Sequence, residues 1–347
     1  MNLYIEMRRV LTILSLTTSL LISSYASAAN SISAEKMSQA AQAFLDSLTE
    51  NQKQSAVLSL NSRKYLEWRF FPEPTHIASL VLPERKGVGI NSLNSDQTEA
   101  LRLLLKEGVS EKGLDALDAA IELDKDSSVE LRGRLNLFLF DYGPENYFVT
   151  FFGKPSDKKW AWRLEGHHIS INFTIENGEI VSSLPVFIGT TIKSIQVGDK
   201  SIEPLKDVAE LAQQLATSLQ PEQLRMAGQA IKKVPLFNPV APGILGGKTR
   251  IPSEKYKGLS SSTMTDEQKT TIVNLLEAYQ SHFTAEISGQ NMISISRQDI
   301  KDIELIWTGD VTMKKPFYFR ILGPHFILEF NTSEGHADHF HTAWVTR

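Results

Sequence analysis

The chain has 347 residues, a formal net charge of −4 and no cysteine. Thiolate metal sites, cysteine nucleophiles and disulfides are therefore excluded, and a chain of this length must stabilise itself through a large apolar core. The mildly acidic balance argues against general nucleic-acid binding.

In chain order, the first element is a basic start at Arg8-Arg9, an apolar run from Val10 to Ile22, and a small-residue box at Ala26-Ser27-Ala28. This is the pattern of a secretory signal cleaved near Ala28, leaving a mature protein in the periplasm or outside the cell. The apolar run is shorter than the ~20 residues that span a bilayer, and no later stretch reaches that length. No integral membrane segment is expected after maturation. Loss of Glu6, Arg8 and Arg9 takes the formal charge from −4 to −5. Met7, directly before the arginines, is an alternative start of translation.

Four helix starts share one signature. They are Leu48-Thr49-Glu50-Asn51-Gln52, Leu93-Asn94-Ser95-Asp96-Gln97, Leu219-Gln220-Pro221-Glu222-Gln223 and Met264-Thr265-Asp266-Glu267-Gln268. Each resembles a capping box with a leading apolar staple, in which Thr49, Ser95 and Thr265 or their neighbours accept first-turn amide hydrogens. Pro221 suits the first helical position, where no amide hydrogen is needed. The first and second starts are 45 residues apart, and so are the third and fourth. Lys86-Gly87-Val88 recurs as Lys257-Gly258-Leu259 at an offset of 171.

A β segment repeats as well. Arg163 to Phe173 and Arg320 to Phe330 match in Arg, Gly, His and Phe at an offset of 157. These matches predict an ancient duplication: an α+β protein of two halves, 29–200 and 201–347, each helices followed by antiparallel strands, related by a pseudo-twofold within one compact unit. Ile169, Ile171 and Phe173 alternate with polar residues as a half-buried strand, and Asn177-Gly178 predicts a hairpin turn into Glu179–Phe187. Phe326, Leu328 and Phe330 repeat the buried face. The Pro/Gly-rich stretch Val234–Ile251 reads as a long surface connection.

Chemistry concentrates in the histidines. Six of the eight fall in or beside the two β segments: His167, His168, His325, His336, His339 and His341. On a strand, His339 and His341 point to one face and can share a metal ion. Through the duplication His168 and His325 are equivalent and could meet at the junction of the halves. With a two-residue turn at Glu334-Gly335, however, His339 and His341 would lie on the apolar face opposite Phe330 and Leu328, and His167 becomes the better third ligand. A longer loop or one bulge reverses that choice. Without cysteine, imidazole is the natural ligand, suited to Zn, Cu, Fe or Mn. Asp338, Glu165 and Glu329 are carboxylate candidates, read first as supporting groups. Arg163 and Arg320 could clamp an anion or form structural ion pairs, and Trp344 stands among aromatics that mostly pack the core. There is no Gly-x-Ser-x-Gly elbow, no dinucleotide fingerprint, and Gly246-Gly247-Lys248 lacks phosphate-loop spacing.

The phrase Glu165-Gly166-His167-His168-Ile169-Ser170-Ile171-Asn172-Phe173-Thr174, with Trp68-Arg69-Phe70 upstream and His339-Phe340-His341-Thr342-Ala343-Trp344 at the end, resembles the domain-of-unknown-function family 3500 over nearly the whole mature chain. The resemblance implies an exported protein with no assigned activity. Gly-His-His and His-x-His-x-x-Trp are both intact, but Val345-Thr346 precede Arg347 where family members often place Arg directly after the Trp. Two functional expectations follow. One is a metal-dependent enzyme, hydrolytic or redox, with His339 and His341 as ligands completed by His167, His168 or His325. The other is a non-catalytic periplasmic binding protein for a small anionic or sugar ligand, held in a cleft between the halves with Arg163, Arg320 and Trp344 as its ligand-binding residues.

Overall fold

The computed structural model describes residues 30–347 apart from 62, 127–138, 142, 144, 192–193, 244, 252–256, 297–299 and 333–338. The expected signal segment, His336, Asp338 and the Glu334-Gly335 turn lie outside the described residues.

Among the described residues there are eight α-helices: α1 (30–47), α2 (Glu50–Ala56), α3 (Ser95–Lys106), α4 (Glu111–Asp126), α5 (Lys206–Ser218), α6 (Pro221–Ala227), α7 (Asp266–Gln280) and α8 (Ala285–Ser296). None of the described helices is long and apolar enough to cross a membrane. All four capping glutamines do what the sequence predicts. Gln52, Gln97, Gln223 and Gln268 accept from the backbone N–H of Thr49, Asn94, Gln220 and Thr265 at 2.9–3.0 Å. At the second start the cap is Asn94 rather than Ser95, because Asn94 has the extended backbone and its side chain reaches the Gln97 N–H at 2.9 Å. Pro221 takes the first helical position of α6.

The glutamines then use their remaining groups on one another. Gln52 and Gln97 exchange side-chain hydrogen bonds of 3.2 and 2.9 Å, and Gln223 and Gln268 exchange two of 3.1 Å. Gln97 also donates to Ser47 O and Gln268 to Ser218 O. Each capping box therefore locks the start of one helix to the start of another, and the buried amides are satisfied within the pair.

Twelve strands form one sheet. They are β1 (Val57–Leu58), β3 (Val88–Gly89), β5 (Phe148–Phe152), β6 (Lys159–Glu165), β7 (Ile169–Glu176), β8 (Glu179–Ser182), β9 (Val186–Thr191), β12 (Leu259–Ser260), β13 (Glu304–Gly309), β14 (Phe317–Leu322), β15 (Phe326–Thr332) and β16 (His339–Thr346). Two small pairs stand apart, β2 (Glu73–Pro74) with β4 (Phe140–Asp141), and β10 (Ile195–Val197) with β11 (Lys200–Ile202). The order is β1-β5-β6-β7-β9-β16-β15-β14-β13-β12, with β3 on β5 and β8 on β7. The two runs of strands, β5 to β9 and β13 to β16, meet at the antiparallel β9–β16 pair. The predicted hairpin forms with Asn177 at φ 53° and Gly178 at φ 76°, the backbone that this turn demands. Its return strand is shorter than expected, since the chain leaves the sheet edge after Ser182 and rejoins it at Val186.

Side-chain alternation gives the sheet two faces. Ile169, Ile171, Phe173, Leu328, Phe330, Phe340 and Trp344 enter the main core with the helices. Their neighbours Phe187, Ile327, Ala343 and Val345 enter a smaller core with Trp68, Phe70, Val240 and Ala241. The Val234–Ile251 stretch is thus more than a surface connection, because part of it covers this second face. The two covering segments are tethered alike: Arg69 N–H donates to Glu165 and Val240 N–H to Glu329, each at 3.0 Å.

Candidate metal centre

β16 pairs with β15 so that His341 faces Asn331 and Phe340 faces Thr332. This register differs by an odd number of residues from the one a two-residue turn at Glu334-Gly335 would give. That puts His339 and His341 on the second face with Ala343 and Val345, not on the helix-covered face opposite Phe330 and Leu328. His168 arrives on the same face from the start of β7, where its carbonyl accepts from Gly189 N–H at 2.7 Å.

Here three imidazoles converge. One ring nitrogen from each of His168, His339 and His341 lies within 4.8 Å of the other two. His168 Nε2 stands 3.1 Å from His339 Nε2. Two imidazole nitrogens on one tetrahedral ion, bonded at about 2.05 Å, would sit roughly 3.3 Å apart. The rings are enclosed, with His168 0%, His341 2% and His339 9% exposed. Phe70 and Phe187 pack their rings against His341 at 5.5 and 5.1 Å. Both ring nitrogens of His341 lack a hydrogen-bond partner among the described residues. Such orphaned buried groups are rare and call for a ligand or another explanation.

Asp124, near the end of α4, organises the cluster from behind. Its Oδ1 lies 2.8 Å from Nδ1 of His167 and 2.8 Å from Nδ1 of His168, while Oδ2 accepts from the Tyr147 hydroxyl at 2.6 Å. Burial alone would raise the Asp124 carboxyl, but the His168 and His167 rings outweigh it and hold the group well below its usual range. The contact to His168 Nδ1 is close but outside hydrogen-bond geometry, and a carboxylate at that distance favours the tautomer with the proton on Nδ1 and a lone pair on Nε2. Burial, then the neighbouring His168, lowers His167 to about 4. Burial, then crowding by His339 and His168, puts His341 well below 6.5, so its ring is neutral at neutral pH with a lone pair to offer.

Two glycines make the approach possible. A Cβ at Gly166 would lie 2.2 Å from the Tyr147 ring, and one at Gly189 would lie 2.4 Å from His168 Cδ2 and 3.0 Å from His341 Cδ2. The Gly of Gly-His-His thus lets Tyr147 reach Asp124 past the backbone.

His167 stands behind this trio: with Asp124 and His168 it forms a second group whose ligand atoms lie within 4.8 Å of one another, and its Nδ1 lies 2.8 Å from Asp124 Oδ1. The remaining candidates fall elsewhere. His325 is exposed at the far end of β15, where its carbonyl accepts from Arg347 N–H. That end is roughly 26 Å along the strand from His339, too far to share one ion. Arg320 pairs with Glu329 at 2.7 Å and reaches the Tyr318 hydroxyl at 2.8 Å. Arg163 bonds the Glu67 carbonyl and faces Glu165 at 3.5 Å. Glu165 and Glu329 are both held by arginines and by covering-segment amides rather than turned to the imidazoles. Trp344 is buried on the helix-covered face between Phe326 and Tyr279, at ring distances of 5.2 and 5.4 Å.

Sequence reasoning missed Asp124 and Tyr147. A signal for Asp124 was present: Leu114, Leu117, Ala120 and Asp124 follow helical spacing, and all four are buried. An aspartate in an apolar stripe needs a partner, and the two histidines supply it.

The fold and this cluster define an α+β protein with a closed, three-imidazole cradle backed by a carboxylate. The chain belongs to the family described as protein of unknown function (DUF3500), whose model matches residues 30–347. No curated protein and no solved structure shows a significant match.

Proposed function

We propose that this chain is an exported metal-dependent enzyme, in which His168, His339 and His341 hold one divalent transition metal and Asp124 orients His168. The observation that carries the reading is the pairing of opposite roles on His168. Its Nδ1 faces a buried carboxylate at 2.8 Å, and its Nε2 faces His339 Nε2 at 3.1 Å, beside a His341 ring with no hydrogen-bond partner for either nitrogen among the described residues. Three neutral imidazoles leave the full charge of the ion on the metal. Such a set makes a strong Lewis acid, able to ionise a bound water near neutral pH or polarise a substrate oxygen. Zn suits that chemistry, whereas Cu, Fe or Mn in the same ligands would turn it to redox work.

Export rests on the basic, apolar and small-residue segments that end at Ala28, and the family match begins just after them, at residue 30. We also infer an origin by duplication. The matched glutamine pairs, both 45 residues apart, and the strand order that mirrors about β9–β16 support it.

Cobalt substitution tests the site. The chain stripped with chelator and loaded with Co²⁺ should show the intense visible bands of a four-coordinate ion, and azide should shift them by entering an open position. The His339→Ala, His341→Ala double variant should show neither. Weak bands of a hexa-aquo type in the parent protein, unchanged by azide, would count against the reading.

A further inference from the structure

Beside the imidazoles, on the same face of the sheet, lies a second cluster that the metal does not use. Arg69, Arg85 and Arg163 are 5%, 7% and 7% exposed, and the buried carboxylates among them are Glu73 and Glu165, at 8% and 6%. Within this cluster, among the described residues, three guanidiniums stand against two carboxylates, and the next buried carboxylate, Asp124, lies behind the imidazoles. Arg85 is fixed by Glu73 at 2.8 Å and by the carbonyls of Arg69, Phe71 and Gly166. Arg69 also pairs with Glu73 at 2.8 Å, while Glu165 stands 3.6 Å from Arg85 and 3.5 Å from Arg163. The Nε–H groups of all three arginines make no hydrogen bond among the described residues, and the Nε atoms of Arg85 and Arg163 are those that stand 3.6 and 3.5 Å from Glu165.

These side chains line a cavity of about 100 Å³ that opens between the covering segment and the sheet, with Lys64 and Lys86 facing Glu67 and Glu84 around it. The rim charges cancel, so the excess remains that of the arginines. Burial, and next the charge of Arg85, hold Arg69 below its usual value, and burial does the same to Arg163. Buried guanidiniums that outnumber the carboxylates among them are stabilised by a further counter-charge. A volume of this size takes a few waters or one small oxyanion group.

We propose that this cavity is an oxyanion pocket, holding the carboxylate or phosphate group of a small ligand among Arg69, Arg85 and Arg163. Guanidinium groups suit both anions because their N–H forks match paired oxygens. The pocket adjoins the imidazole cradle along two stretches of chain. Phe70 packs on His341 while Arg69 turns into the cavity, and Glu165 directly precedes Gly166-His167-His168. Anion binding here does not require the metal. Where the metal reading also holds, the substrate is anionic.

The test is calorimetric titration with inorganic phosphate and, separately, acetate, at constant ionic strength set by chloride, on the full protein with its metal and again after chelation. Binding of either probe, retained after chelation, is the expected result; preference for phosphate or for acetate identifies the group. Arg163→Gln should weaken binding by roughly tenfold or more. Glu165→Gln, which raises the excess within the cluster from one charge to two, should tighten it. Failure of both probes to bind overturns the proposal, as does an Arg163→Gln variant that binds like the parent. Should Arg163→Gln not fold, Glu165→Gln decides alone: unchanged or weaker binding overturns the pocket. Loss of metal with anion binding intact would sink only the metal reading.

Discussion

Replacing Gly189 with alanine perturbs the imidazole cradle while leaving every proposed ligand in place. The added Cβ would lie 2.4 Å from His168 Cδ2, 3.0 Å from His168 Cγ and 3.0 Å from His341 Cδ2. Carbon atoms pack at about 3.5–4.0 Å, so the His168 ring must retreat by about 1 Å. It has little room, being fully buried with Nδ1 against Asp124 at 2.8 Å. A metal–imidazole bond of about 2 Å tolerates changes of only ~0.2 Å. Gly189 sits mid-strand opposite His341, where alanine's backbone is acceptable, so the sheet should persist. The expected outcome is an overpacking loss of about 1–3 kcal/mol in the metal-free protein and a fall in metal affinity of at least roughly tenfold. Urea unfolding reads the first, and competition with a chromogenic chelator reads the second. A folded Gly189→Ala variant that binds metal as tightly as its parent would refute the convergence of His168 and His341 on one ion.

Other expectations follow from the same geometry. Asp124→Asn removes the carboxylate behind His168 and should weaken metal binding by about 10–100-fold, measured by the same competition; an unchanged affinity would mean that Asp124 does not orient the ring. Burial, then the charge of Lys112, lowers His282 to about 4 from its ordinary 6.5. The unfolded chain then binds the extra proton first, so this contribution is intact above pH 6.5 and is lost as the pH falls towards 4, on the order of 3 kcal/mol in all. His282→Gln should flatten that part of the acid limb in urea titrations between neutral pH and about pH 4, and identical limbs in both proteins would contradict it. Glu329→Ala strands Arg320 in the sheet and should destabilise by about 3–5 kcal/mol, whereas a loss under ~1 kcal/mol would show the pair is not the main support of that strand junction.

The local parts of this structure were legible because they rest on short-range chemistry. Capping boxes are written within five residues, and Asn177-Gly178 specifies its turn by backbone preference alone. The His-x-His spacing likewise puts His339 and His341 on one face whatever the sheet does around them. Which face it is depends on the register of β16 on β15, and a single residue of register reverses the answer. Pairing of Asn331 with His341 set that face, and with it the approach of His168, rather than His167, to His339 and His341. The appeal of His325 came from sequence equivalence with His168, but it sits where β15 begins and the imidazoles gather where β15 ends. Asp124 was hidden by distance along the chain, although its place in a buried helical stripe marked it as a residue in need of a partner.

The most direct test is elemental analysis of the protein purified untagged from its own compartment, beside the His339→Ala, His341→Ala double variant. The account predicts close to one transition metal per chain in the parent and almost none in the folded variant. A parent chain that holds no metal even after reconstitution with Zn, Cu, Fe and Mn, or a variant that keeps its full complement, would contradict it.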